Sequence, residues 1–396
     1  MRTLAPALLC ALCCASQAAP FSAGEPRRRT VVDSLGRVVG VVGDPRRIVT
    51  ISDGLIEGVM TALGMQDRIV GLGSDCLRSS FDYVFPLGGE EASRYRQGVN
   101  PVTFLNPRFR GLPLIAGDTG INYEALVALQ PDLVLLRLGS CTFQADDEKA
   151  RLATRALEAL GFPLVILKAS HLLAEPDVSS LSEEIRIIGE SLGRPSPAEA
   201  LSRFLADRVR EIGERLPVLP VDQRPRVLIL GLSPSARERG GAGVVFGAGT
   251  LENHLIETVL HARNAYPHRG YFRIVSTEHL LAIDPDVIVL CTATGYHPPE
   301  ELYRAPYYRH LRLLGAVRQR RVSALPFTPC NCAKRLEYPI DVMVLARAAY
   351  PDRFRDFDPG EWLVSFYRGV YGVDRATAVQ LRSAQWLDWL SEGEVP

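Results

Sequence analysis

The sequence has no surplus of either charge: 45 Lys and Arg residues face 45 Asp and Glu residues. A balanced chain carries no general attraction for nucleic acid or an anionic lipid surface, so any ligand must be recognised locally. It also lacks an apolar run long enough to span a bilayer, which needs roughly 20 residues. No GxxxxGK[ST], HExxH or GxSxG motif occurs, and the glycines Gly240, Gly241, Gly243, Gly247 and Gly249 do not fit GxGxxG. Nucleotide hydrolysis, zinc proteolysis and serine hydrolysis are thereby left without support. The seven histidines are scattered without metal-binding spacing, and Cys330 with Cys332 forms a Cys-x-Cys pair that does not match the usual zinc spacing.

What is present is material for a large globular core. With 396 residues, 47% of them hydrophobic and 23% charged, the chain favours two domains over one. Arg2 precedes an apolar stretch over residues 4–15, and Ser16, Gln17 and Ala18 follow with small residues where a signal peptidase reads. This reads as a signal peptide over residues 1–19. Cys10, Cys13 and Cys14 lack the small preceding residue that a lipid-anchored export signal wants, so the expectation is an exported, periplasmic protein without a lipid anchor.

Beyond the signal, residues 30–41 alternate apolar and polar positions around Gly36 and predict a hairpin. Strand-like and helix-like segments then alternate, with strands at 47–51, 68–72, 132–136 and 164–167 and a helix over 53–63. That alternation predicts a parallel sheet covered on both faces. Residues 77–113, rich in Pro, Gly, Arg and aromatics, show no clear period and read as a long irregular insertion. Ser180 with Glu183, and Ser196 with Glu199, have capping-box spacing, and Pro197 suits a first helical position. Leu201, Leu205, Ile212 and Leu216 make one apolar stripe along the second of these helices. Such a helix, about 30 Å long at ~1.5 Å per residue, would bridge two lobes. Strand-helix alternation resumes at 227–230, 251–260, 287–290 and 321–325.

The second block echoes the first. Residues 121–136 align without gaps to residues 275–290 with six of sixteen positions identical, among them Glu124 with Glu278, Pro131 with Pro285 and Asp132 with Asp286. The fold class read from this is α/β: two similar lobes with mostly parallel sheets, joined by one long helix. The boundaries are an N-terminal lobe over 20–178, a helical linker over 179–217 and a C-terminal lobe over 218–396.

Asp33-Ser34-Leu35-Gly36-Arg37, the stretch from Pro45 to Val49, the two Glu-x6-Pro-Asp segments and the long central helix together resemble the periplasmic binding proteins for ferric siderophores, haem and cobalamin. The resemblance implies a helical-hinge binding protein that captures an iron chelate, haem or cobalamin-like complex between its lobes and delivers it to an ABC permease in the inner membrane. It implies no catalysis and no resident cofactor, the metal complex being the cargo. It also implies that Glu124 and Glu278, one per lobe, dock on permease arginines; a first-turn carboxylate is in any case favoured by the helix dipole.

Candidate ligand residues follow from strand ends, where α/β sheets place their ligands. Cys76, Cys141, Cys291, Cys330 and Cys332 each follow a strand-like run. Disulfides, plain packing and soft thiolate contact with a metal all remain open for them, with Cys141, Cys291, Cys330 and Cys332 the possible metal set. Tyr296 and His297 follow Cys291, Arg335 and Tyr338 follow Cys332, and Tyr83, Arg94, Tyr95 and Arg96 lie in the irregular insertion. Aromatics suit a flat macrocycle and arginines suit chelate carboxylates. A tetrapyrrole metal chelatase is the competing enzymatic reading, and a sensor presenting the same cleft to a membrane receptor is a third.

Overall fold

The computed structural model describes residues 28–391, apart from 118–119, 141, 144–146, 294 and 330–334. The expected signal peptide and Cys141, Cys330 and Cys332 lie outside the described residues. Among the described residues no helix is long and apolar enough to cross a membrane.

Two sheets organise the chain. The first has four strands in the order Leu164–Lys168, Leu133–Leu138, Ile48–Ile51 and Ile69–Leu72, all parallel. Ile48–Ile51 and Leu133–Leu138 are buried at every position, as the largely apolar central strands of a sheet covered on both faces must be, with Thr50 and Arg137 the polar exceptions. In the second sheet Arg226–Gly231, Val287–Leu290 and Val322–Ala324 are parallel, while Gly243–Val245 and Arg273–Val275 add an antiparallel edge. The α/β fold of two similar, mostly parallel sheets is thus present.

The sequence echo marks a repeated fastening. In the first lobe Asp132 accepts the backbone N–H groups of Arg46 at 2.7 Å and Arg47 at 3.0 Å, at the start of the neighbouring strand. In the second, Asp286 accepts Arg226 N–H at 2.8 Å in the same position. An arginine then caps the helix that leads into each aspartate: Arg47 donates to the Leu129 carbonyl at 2.7 Å, after Tyr123–Ala128, and Arg226 to the Ile283 carbonyl at 2.8 Å, at the end of Thr277–Ile283. Both helices close on a left-handed residue, Gln130 with φ 44° and Asp284 with φ 36°. Those conformations cost a non-glycine residue energy, and the arginine caps help hold them.

The helix Pro195–Gly213 is the expected long one, about 28 Å at ~1.5 Å per residue. Its start differs from the expectation. Arg194 is the N-cap without a side-chain cap, and Pro195 rather than Pro197 opens the helix. The preceding helix, Ser179–Ser191, is started by Asp177, whose carboxylate accepts Ser179 N–H at 2.9 Å and Ser180 N–H at 3.2 Å. Serine-glutamate spacing fits a capping box, but Asp177, three residues before Ser180, and Pro195, one before Ser196, captured the two starts first.

Ala198, Leu201, Leu205 and Ile212 of the long helix are buried. They belong to one apolar cluster with Leu135 and Leu167 of the first sheet, Val227 and Val289 of the second, and Leu345, Trp362 and Phe366 of the C-terminal helices. The chain end also returns to the first lobe, where Val99 N–H donates to the Ala384 carbonyl at 3.0 Å.

One expectation fails in kind. Residues 77–113 are not irregular: Phe81–Gly88 and Glu91–Gly98 form an antiparallel hairpin. Phe81, Tyr83, Phe85 and Leu87 alternate toward the protein as a strand requires, but Val84 and Pro86 on the outer face and two register shifts blurred the period.

The Asp132 fastening makes a direct prediction. Asp132→Ala removes two hydrogen bonds at a half-buried strand start and should lower unfolding free energy by about 1–2 kcal/mol in urea denaturation. An unchanged midpoint would contradict the assigned role.

Candidate functional site

The C-terminal ends of the strands carry small and polar residues. Ser52, Asp53 and Gly54 follow Ile51, Gly73 and Ser74 follow Leu72, and Gly139 and Ser140 follow Leu138. Gly73 is required by space, since a Cβ there would lie 2.5 Å from the Ile51 Cα. Across from this rim, the second lobe contributes Cys291, Thr292 and Ala293 after Leu290.

The two halves meet at Gly54. A Cβ on Gly54 would lie 3.1 Å from the Asn100 amide nitrogen and 3.2 Å from the Arg335 Cδ, so a first-lobe turn touches a second-lobe arginine with no room between them. Arg335 is buried, and its Nη2 donates to the Pro329 carbonyl at 2.5 Å. Of the anticipated residues that lie among the described ones, Arg335 is brought beside Gly54 and Asn100.

Beneath this contact lies a buried charge cluster that sequence reasoning missed. Arg137 binds Glu184 with two hydrogen bonds, at 2.6 and 2.8 Å, and reaches Asp53 at 3.3 Å, with all three side chains at most 1% exposed. The two carboxylates hold the guanidinium firmly charged against the burial that opposes it. The signal was an arginine inside an otherwise apolar strand. Glu57, on the helix Leu55–Ala62, is fully buried beside this cluster. Burial, with a contribution from the Asp53 charge, pushes its carboxyl above the ordinary range.

The hairpin crosses to the second lobe and consumes most of the anticipated aromatic site. Tyr83 donates to Glu301 at 2.7 Å and lies 3.0 Å from His297 Nδ1, which itself lies 2.9 Å from the same Glu301 oxygen. His297 Nε2 is 3.2 Å from the Ala293 carbonyl, and Tyr307 donates to the second Glu301 oxygen at 2.8 Å. Burial and the Glu301 charge push the Tyr83 hydroxyl far above its usual range. Tyr95 packs on Tyr296 at 5.0 Å and on Trp386 at 5.4 Å, and the Trp386 indole donates to the Arg96 carbonyl at 3.1 Å. Gly295 permits the approach, because a Cβ there would meet Tyr83 at 2.4 Å. Tyr83, Tyr95, Tyr296 and His297 therefore come together, as an internal contact between hairpin and lobe. Arg94 and Arg96 are exposed, and Tyr338 is in the core.

A second contact closes the other flank. His171, just after the strand Leu164–Lys168, stacks on Tyr271 with centroids 4.9 Å apart and planes 10° from parallel, and Arg269 donates to the Ala174 carbonyl at 3.2 Å. Neither His171 nor Tyr271 was anticipated; a histidine three residues past a strand end was the available signal.

The cysteines do not form one set of thiolates. Cys76 is disulfide-bonded, and Cys291 is a buried thiol beside Gly231. Among the described residues no group of three or more His, Cys, Asp or Glu side chains could hold a metal ion. Glu124 and Glu278 occupy matching places, exposed in the first turns of helices capped by Asn122 and Ser276. Hydrogen bonding by its own N–H and by Ser276 holds the Glu278 carboxyl below its usual range.

Glu57 gives a pH signature. A carboxyl whose folded-state pKa is raised contributes no penalty below the unfolded value of about 4.3, and stability falls as pH rises from there toward the folded value, by up to ~1.4 kcal/mol per unit. Glu57→Gln removes that slope. The variant's stability relative to the parent should rise between pH 4 and pH 8 in denaturant titrations. A pH-independent difference would contradict the assignment.

Residues 87–329 match the family model described as periplasmic binding protein. An uncharacterised ABC transporter substrate-binding lipoprotein of Bacillus subtilis is 23% identical over 328 residues, covering 83% of this chain and 87% of that protein. A periplasmic solute binding protein from Veillonella parvula superposes with a TM-score of 0.67 at 21% identity, covering 91% of this chain and 99% of the other. The molybdate periplasmic binding protein of Haemophilus influenzae gives a TM-score of 0.63 at 19% identity, with 87% and 98% covered. With two matched sheets, a bridging helix and opposed strand ends in the same order, this chain belongs to the periplasmic binding protein family.

Proposed function

We propose that the protein is the exported substrate-binding component of an ABC importer, holding a metal complex of the iron-chelate, haem or cobalamin class between its lobes. The observation that carries this reading is the meeting of Gly54, Asn100 and Arg335 at the opposed strand ends, with an interlobe contact on either flank. A cationic side chain on a floor of small residues suits an anionic chelate, which a guanidinium binds with paired hydrogen bonds. The relative named as an ABC transporter substrate-binding lipoprotein and the molybdate-binding neighbour support the transport role and a metal-containing cargo. In this reading the lobes comprise residues 20–178 and 218–396, residues 179–217 form the bridge, and the metal arrives as cargo. The processed protein is free in the periplasm, and it is not an enzyme.

Glu124 and Glu278 are the docking residues, at matching exposed positions where permease arginines can pair with them. Protein purified from its native periplasm should carry an absorption spectrum and about one equivalent of metal. The double variant Glu124→Ala, Glu278→Ala should keep cargo affinity within about twofold and lower transport at least tenfold, because the carboxylates face the permease. Metal-free protein that takes up no chelate would overturn the cargo assignment, and unchanged transport the docking one.

A further inference from the structure

A separate pocket of about 170 Å³ lies where the chain enters the strand Val322–Ala324, at the opposite end of the sheet from the strand termini that form the interlobe site. Arg320, Arg321 and Arg347 line it together with the rings of Phe354 and Trp389. We propose that this pocket is a binding site for a small carboxylate bearing a ring-sized apolar group.

Charge argues for the carboxylate. Three arginines line the pocket and no acidic residue does; the Arg320 guanidinium stacks on the Tyr303 ring at 4.6 Å, while Arg321 and Arg347 make no ion pair among the described residues. Neighbouring acids are engaged elsewhere: Asp352 pairs with Arg355 at 2.5 Å, Asp356 with Arg215 at 3.0 Å, and Asp388 with Arg382 at 3.0 Å. Asp358 caps its own helix through Glu361 N–H at 3.0 Å. Burial lowers the Arg347 pKa from the usual arginine range, since its charge is partly desolvated and only the Asp358 charge opposes this. A bound anion restores the missing counter-charge, and guanidinium is the side chain best matched to a carboxylate.

Size and lining argue for the ring. A cavity of about 150 Å³ takes up benzene, and this one is of that size with Phe354, Trp389, Val322 and Leu390 forming an apolar wall. The carboxylate alone has a second source, the chain's own Glu392 and Glu394, the first of which follows Ser391 directly; neither supplies the ring.

Calorimetric titration of the full chain with benzoate, benzamide and acetate tests the site. Benzoate should bind one equivalent saturably, with benzamide at least tenfold weaker for want of charge and acetate at least tenfold weaker for want of a ring. Arg347→Met and Arg321→Met, each checked for cooperative unfolding, should weaken benzoate at least tenfold. A chain ending at Ser391 that binds benzoate as well or better supports the site, and binding seen only in that shorter chain identifies Glu392 and Glu394 as its natural occupants. Absence of saturable binding in both chains, equal binding of benzamide, or unchanged affinity in folded Arg347→Met would overturn the proposal.

Discussion

One apolar core runs without a break from the first sheet, along the helix Pro195–Gly213, into the second sheet. Every other feature of the molecule is arranged around that continuity. Each fully buried aliphatic side chain along it contributes about 1.5–3 kcal/mol relative to exposure, so separating the lobes would expose many such residues at once. Phe204 of the long helix sits so close to Gly369 that a Cβ there would be 2.2 Å from its ring, which locks the bridge against the C-terminal helix Pro359–Tyr371. The lobes are thus two ends of one packed body, and the interlobe site is a seam in that body.

The seam is pinned at both flanks by different chemistry. On one side the hairpin brings Tyr83 into a buried network with His297 and Glu301, where each hydrogen bond forms in a low-dielectric setting and an orphaned partner would be costly. On the other, the stacked rings of His171 and Tyr271 meet near the surface. The first contact is the harder to break.

Much of the fold was legible because its repeat is written in residues with one structural job. Asp132 and Asp286 each fasten a strand start, Arg47 and Arg226 each cap a helix, and the alignment of residues 121–136 with 275–290 followed from those roles. The hairpin was not legible, because Pro86 and Val84 mask an alternation whose inner residues are apolar. The site was less legible still. Strand ends led to Arg335, which the fold sets beside Gly54, yet sequence cannot say that Tyr83, Tyr95, Tyr296 and His297 are satisfied by one another, since they come from segments some 200 residues apart. The Arg137 cluster escaped because a buried ion triad depends on Glu184, a helix residue whose orientation is decided only by packing.

The continuity of the core is tested most directly by small-angle X-ray scattering of the full chain with and without saturating cargo. A single packed body predicts a radius of gyration that changes by no more than about 0.5 Å, because shear and small rotations are all that a continuous core permits. A decrease of about 2 Å or more on binding, as in proteins whose lobes close about flexible strands, would contradict the account.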